Sequence, residues 1–142
     1  MKETLILNPA LSREGFQRQY LTFVKQFIEK HQIPIQVNGF CMLVNEISKN
    51  IWDHANGKGQ ITLEAVDETL NFEIKDYGTE SYDIEKIRQA GSRLAGNHIN
   101  HGHGICGGMI EGIAEGNKVK NFHVDTSCGF TYSGSIPFLH SG

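Results

Sequence analysis

The sequence predicts a two-layer α/β (α+β) sandwich in which helices cover one face of a mixed β-sheet. Two long segments in the first half have apolar residues at helical spacing, and shorter apolar runs have the length and alternation of strands. The predicted order is β-α-α-β-β-(α)-loop-α-β-β, which is typical of helices packed on a sheet. A chain of 142 residues, 39% of them apolar, suits one domain spanning residues 1–142.

The first half contains one predicted strand and two predicted helices. Residues 3–8 have the composition of a short strand, which Pro9 ends. Ser12 is a candidate N-cap for a helix that ends near His31, because the Ile-Pro pair that follows disfavours continuation. A second helix is predicted over residues 36–55, and the glycines after it predict a turn.

The second half adds four predicted strands and two predicted helices. The strands are residues 60–66, 70–75, 118–125 and 130–138, and the helices are residues 81–90 and 105–114. Residues 67–69 have the length of a hairpin loop, and residues 127–129 form a turn between the last two strands. Residues 91–104 are rich in glycine, asparagine and histidine, which predicts a loop.

Composition and charge indicate a soluble protein of the cytoplasm. The net charge of −3 gives no electrostatic reason to expect a nucleic-acid or acidic-membrane partner, and no apolar run reaches membrane-spanning length. The apolar part of the N-terminus is too short for a signal peptide. Cys41, Cys106 and Cys128 are an odd set without a C-x-x-C pair, which is typical of reduced thiols.

Three polar residues follow one side of the second predicted helix. Glu46, Asn50 and His54 are spaced at i, i+4 and i+8, so they line one stripe beside the apolar residues of the same helix. A carboxylate and an amide oxygen suit a hard cation such as Mg²⁺. An ordinary amphipathic surface helix would show the same spacing.

Two glycine motifs follow the stripe in the chain. Asp76-x-Gly78 ends a predicted strand, where a carboxylate can accept a hydrogen bond from an exocyclic amine and a glycine lets a flat ring approach the backbone. Gly102-His103-Gly104 comes just before a predicted helix, where free backbone N–H groups can hold phosphate. Taken alone, each motif also fits a plain turn or loop.

The ordered combination of these three motifs resembles the GHKL ATPases, the histidine-kinase-like family with the Bergerat ATP-binding fold. Within that family the chain looks most like the single-domain anti-sigma-factor serine kinases of bacterial signal transduction. The resemblance covers essentially the whole chain. It implies an ATP-binding regulatory protein that uses Mg·ATP to phosphorylate or regulate a protein partner, such as a sigma factor or its antagonist. It also implies a possible homodimer.

The resemblance gives each motif residue a role. Glu46 matches the carboxylate that orients or deprotonates the attacking group, Asn50 matches the Mg²⁺ ligand, and His54 matches a basic position near the phosphates. Asp76 matches the aspartate that binds adenine, and Gly78 matches its glycine neighbour. The remaining matches belong to the glycine-rich ATP lid: Gly102, His103 and Gly104.

Three other interpretations stay open at this point. Glu80 and Phe130 stand where the family typically has glycine and threonine, which favours a nucleotide-dependent binding module without catalysis. His98, His101 and His103 have the spacing His-x-x-His-x-His, which can supply metal ligands, although contact with phosphate or with solvent in the lid is the favoured use for them. An α/β domain whose motifs match by chance is the third interpretation.

Overall fold

The computed structural model describes residues 1–77, 107–125 and 130–139. These residues form five strands and three helices. In chain order they are β1 (Lys2–Ile6), α1 (Arg13–Lys30), α2 (Val37–His54), β2 (Gly59–Val66), β3 (Thr69–Asp76), α3 (Gly107–Gly116), β4 (Lys120–Asp125) and β5 (Thr131–Pro137). Each lies within about two residues of its predicted bounds. The predicted helix at 81–90, the loop at 91–104 and the turn at 127–129 fall outside the described residues.

Local signals set the beginning of α1 and the end of α2, as the sequence predicts. The Ser12 Oγ accepts a hydrogen bond from the Gly15 N–H at 3.1 Å, so Ser12 is the N-cap of α1. At the end of α2, the N–H groups of Ala55 and Gly57 both donate to the Ile51 carbonyl. Asn56 and Gly57 have positive φ angles of 53° and 75°, a conformation that stops a helix.

The turn between β2 and β3 is one residue shorter than predicted. Asp67 and Glu68 have φ angles of 49° and 60°, as in the two-residue turns whose twist matches that of the flanking strands. Thr69 pairs with Val66 as the first residue of β3, and its hydroxyl donates to the Val66 carbonyl at 2.6 Å. The hairpin therefore has a fixed register along the whole length of both strands.

The described sheet is antiparallel throughout, so the prediction of a mixed sheet is wrong for the described strands. Its strand order is β1-β2-β3-β5-β4, and all four neighbouring pairs run antiparallel. The last hairpin of the chain places β5, rather than β4, against β3. A pattern of apolar residues predicts that a segment is a strand, but it carries no information on the direction of the partner strand.

The helices cover one face of the sheet, which makes the fold a two-layer α+β sandwich. Alternate residues of β2, β3 and β5 are buried on that face, and the buried side chains of α1 and α2 join them in one core. The opposite face carries mostly polar residues, among them Thr62, Asn71 and Ser133, around an open concavity of about 520 Å³. Among the described residues, no helix is long and apolar enough to cross a membrane.

Candidate functional site

Asp76 is a buried carboxylate at the end of an otherwise apolar row. Leu70, Phe72 and Ile74 precede it on the helix-facing side of β3, and Asp76 is only 2% exposed. Its backbone N–H donates to the Phe130 carbonyl at 2.9 Å, and its Oδ2 accepts from the Phe130 N–H at 3.3 Å. Burying a carboxylate is costly unless it is hydrogen-bonded, so this position calls for a physical explanation.

Glycine allows the backbone to approach closely beside Asp76. Gly59 pairs with Asp76 across β2 and β3, and a Cβ at Gly59 would lie 2.5 Å from the Lys75 carbonyl oxygen. The same Cβ would lie 3.1 Å from the Cδ1 of Ile51, so α2 packs directly over this end of the sheet. The carboxylate of Asp76 therefore lies beneath the C-terminal half of α2.

The predicted polar stripe is present on α2. Glu46, Asn50 and His54 all belong to this helix, His54 is its last residue, and all three side chains are half-buried. The residues that point into the core are on a different side of the helix, and they include Leu43, Ile47 and Ile51. The helix thus presents a carboxylate, an amide and an imidazole at the edge of the core.

Asn50 is the member of this stripe that reaches the sheet. Its Nδ2 donates to the Tyr132 hydroxyl oxygen at 3.5 Å. Tyr132 is buried on β5, and its ring centroid lies 6.0 Å from that of Phe130. Because the backbone of Phe130 bonds to Asp76, a continuous set of contacts joins the amide on α2 to the carboxylate at the end of β3.

Glu46 lies on the side of α2 nearer to α1. Its side chain is 14% exposed, and its Oε2 is 3.8 Å from the Lys49 Nζ. The same oxygen is buried and accepts no hydrogen bond from the described residues. The charge of Glu46 reaches Tyr20 on α1: burial first, and then Glu46, raise the pKa of Tyr20 to about 12.

The structure therefore brings together part of the predicted site. Asn50 on α2 and Asp76 on β3 are connected through Tyr132 and Phe130. Glu46 and His54 lie on the same helix as Asn50. The predicted residues Gly78, Gly102, His103 and Gly104 lie outside the described residues. So do Glu80 and the three histidines considered as metal ligands.

Two residues of this region were not singled out from the sequence. The sequence predicts only that Tyr132 belongs to a strand. Its contact with Asn50 spans 82 positions of the chain, so no local pattern indicates it. The sequence predicts a turn at Gly59, but Gly59 is the first residue of β2 and pairs with Asp76. Its place directly before an alternating run was the available signal.

The described residues hold no group of three or more His, Cys, Asp or Glu side chains placed to bind a metal ion. Asn50 is not one of these four residue types, but its amide oxygen is a ligand that suits a hard cation. Cys41 is a free, buried thiol, and burial raises its pKa. A thiol in that state is a poor nucleophile, so Cys41 is a core residue.

No model of a protein family matches the chain, and no curated protein matches it. Functional interpretation therefore depends on the residues and their geometry.

Proposed function

We propose that this protein binds Mg·ATP between the end of β3 and the polar side of α2, and uses it to phosphorylate or regulate a protein partner. The observation that supports this proposal most strongly is the buried carboxylate of Asp76 beside Gly59. A carboxylate accepts hydrogen bonds and cannot donate them, so it suits the exocyclic amine of adenine. The resemblance to anti-sigma-factor serine kinases supplies the same role for Asp76.

Asn50 suits the metal end of the nucleotide. Its Nδ2 is directed to Tyr132, which leaves its Oδ1 for a hard cation. Mg²⁺ bound there would offset the charge of the triphosphate. His54, four residues along the same helix, would add a donor near the phosphates.

Glu46 is the proposed catalytic carboxylate. It stands one helical turn before Asn50, on the same stripe, and its Oε2 has no hydrogen-bond donor among the described residues. An acceptor of this kind can orient a serine or threonine hydroxyl and take its proton. Lys49 would balance the charge of Glu46 in the resting protein.

A binding module without catalysis is the second candidate function. Phe130 is buried, and its backbone N–H and carbonyl bond to Asp76. The family typically has a threonine at this position, whose hydroxyl lies beside the adenine. Loss of that hydroxyl removes one polar contact near the base. This difference favours nucleotide binding with slow or absent turnover.

The decisive experiment is thermal unfolding with nucleotide. A ligand that binds only the folded state stabilises it by about 2.7 kcal/mol when its concentration is 100 times its Kd. We expect ATP with Mg²⁺ to raise Tm, and GTP to raise it much less, because guanine presents a carbonyl oxygen where adenine presents its amine. An unchanged Tm at millimolar Mg·ATP would refute the proposal.

Matched variants assign the shift to the site. Asp76→Asn should lose most of the preference for ATP over GTP, whereas Asp67→Asn makes the same change at the far end of the hairpin and should keep it.

Asn50→Ala should abolish the part of the Tm shift that needs Mg²⁺. Asn38→Ala, on the exposed first turn of α2, should retain it. If Asn50→Ala binds Mg·ATP as tightly as the parent in calorimetry, the metal assignment is wrong.

Turnover separates the two candidate functions. If the protein is a kinase or an ATPase, Glu46→Gln should keep the ATP-dependent rise in Tm and lower phosphotransfer or phosphate release at least 100-fold, the usual scale for loss of a general base. Equal rates in the parent and Glu46→Gln proteins would exclude Glu46 as the catalytic group. Nucleotide binding with no turnover in the parent would favour the binding module.

A further inference from the structure

We propose that a small cavity between α1 and α2 is a docking pocket for an acidic side chain of the protein partner. This inference deepens the proposed function, because it gives the regulated partner an acidic segment. The cavity lies between α1 and α2, whereas Asn50 contacts Tyr132 on β5. The cavity is therefore separate from the place assigned to the nucleotide. Its existence does not depend on ATP binding.

The cavity has a volume of about 70 Å³, which suits a carboxyl group and is far too small for a nucleotide base with its sugar. Three residues of α2 and four of α1 form its walls. They are Arg13, Phe16, Gln17, Tyr20, Asn45, Lys49 and Trp52. The rings of Phe16 and Trp52 are in contact, with centroids 4.9 Å apart, and they close its apolar side.

The charges of the walls favour an anion. Arg13 and Lys49 are cationic, and no carboxylate is among the lining residues. Arg13 forms no ion pair with any described residue, and Lys49 has only a loose one, 3.8 Å from Glu46.

The polar floor of the cavity is already arranged. Asn45 Oδ1 accepts hydrogen bonds from Gln17 Nε2, at 2.9 Å, and from the Tyr20 hydroxyl. With that oxygen occupied on both lone pairs, the Asn45 amide can offer only its N–H groups to a ligand. A carboxylate, which accepts and does not donate, matches two cationic donors and an amide donor.

Lys49 links this cavity to Glu46. Lys49 lines the cavity, and its ammonium group is also the counter-ion of the proposed catalytic carboxylate. An acidic side chain bound in the cavity would compete with Glu46 for Lys49. Docking of the partner would in this way release Glu46 to engage an acceptor hydroxyl.

Trp52 provides the measurement. It is the only tryptophan of the chain and it lines the cavity, so the intrinsic tryptophan fluorescence reports on this place alone. The probes are the blocked peptides Glu-Glu-Ser-Glu-Glu and Gln-Gln-Ser-Gln-Gln, with inorganic phosphate as a free anion. We expect a saturable change with the acidic peptide and none with the neutral peptide.

Variants then test the two cations. Arg13→Gln and Lys49→Gln should each weaken binding of the acidic peptide about five-fold, the scale of one exposed ion pair. Lys25→Gln is the matched control, because Lys25 is an exposed cation of α1 outside the cavity. Its affinity should equal that of the parent. Thermal unfolding of each variant confirms that the fold is intact.

Four results would overturn the docking pocket, and the first three come from the peptide experiments. They are no saturable fluorescence change with the acidic peptide, an equal loss of affinity in Lys25→Gln, and binding of inorganic phosphate as tight as that of the peptide. An Arg13-dependent response to ATP would also overturn it, because the cavity would then belong to the nucleotide site. Failure of the proposed function is read separately, as an unchanged Tm with Mg·ATP in the parent protein.

Discussion

At the scale of single residues, the contact of Tyr20 with Asn45 shows how α1 reaches α2. The phenol donates to the Asn45 amide oxygen, is almost fully buried, and lies within the field of the Glu46 carboxylate. Burial penalises the tyrosinate form most, Glu46 adds to that penalty, and Arg13 opposes it. These effects raise the pKa of Tyr20 to about 12 from an ordinary value near 10.

The folded state should therefore lose stability in strong alkali. A group with a raised pKa stabilises the fold below its unfolded value, near pH 10, and this contribution disappears as the pH passes through about 12. Tyrosine-ring NMR, assigned with Tyr20→Phe, should follow this titration. Glu46→Gln should lower the pKa of Tyr20 but leave it above 10, since burial is the larger cause. An unchanged titration in Glu46→Gln would show that Glu46 lies too far away to act.

At the same scale, Asp76 breaks the alternation that made its strand predictable. Leu70, Phe72 and Ile74 bury apolar side chains, and the next position on that face is a carboxylate. Local consistency in a natural sequence usually fails where function requires it, which is why Asp76 carries the proposed function.

At the scale of elements, Gly59 lets β2 and β3 pair to their ends. Gly59→Ala should destabilise the protein by about 1–3 kcal/mol, because the new methyl group would lie 2.5 Å from a backbone oxygen that cannot move freely. Urea unfolding measures the change.

The control for this prediction is Gly112→Ala. Within the described part of the chain, no atom apart from the adjacent backbone of its own helix lies within 4 Å of a Cβ at Gly112, which is exposed on α3. Alanine is favoured over glycine inside a helix by about 1 kcal/mol, so this variant should be as stable as the parent or more stable. Comparable destabilisation by both substitutions would contradict the close approach at Gly59.

At the scale of the whole molecule, one core unites the two layers. Phe40 of α2 is fully buried, and its ring centroid lies 5.5 Å from that of Phe72 on β3. Residues of α1, α2, α3 and the inner strands belong to the same cluster. We therefore expect helices and sheet to unfold together.

Phe40→Ala should lower the free energy of unfolding by about 3–5 kcal/mol, because it removes a large buried side chain and leaves a cavity between the layers. Met42→Ala is the comparison, since Met42 lies on the same helix with 56% of its surface exposed and should change stability little. Denaturation followed by circular dichroism and by Trp52 fluorescence should give coincident curves. Two separate transitions would refute the single core.

Much of the fold and part of the candidate site were predictable because the relevant patterns are local. Helical spacing predicted α1 and α2 within one or two residues, and Ser12 and Gly57 predicted where they begin and end. The stripe of Glu46, Asn50 and His54 follows from the geometry of a helix alone. Asp76 at the end of a strand is local in the same sense.

Pairing and contact across the chain could be decided only by the tertiary structure. The pairing of β1 with β2 and of β3 with β5 joins residues more than 50 positions apart. The hydrogen bonds that connect Asn50 to Tyr132 and Asp76 to Phe130 are equally long-range. A sequence shows which side of each element is apolar, because that depends on neighbouring residues. Which apolar sides meet depends on how all the elements bury them together, and that is settled only when the chain folds.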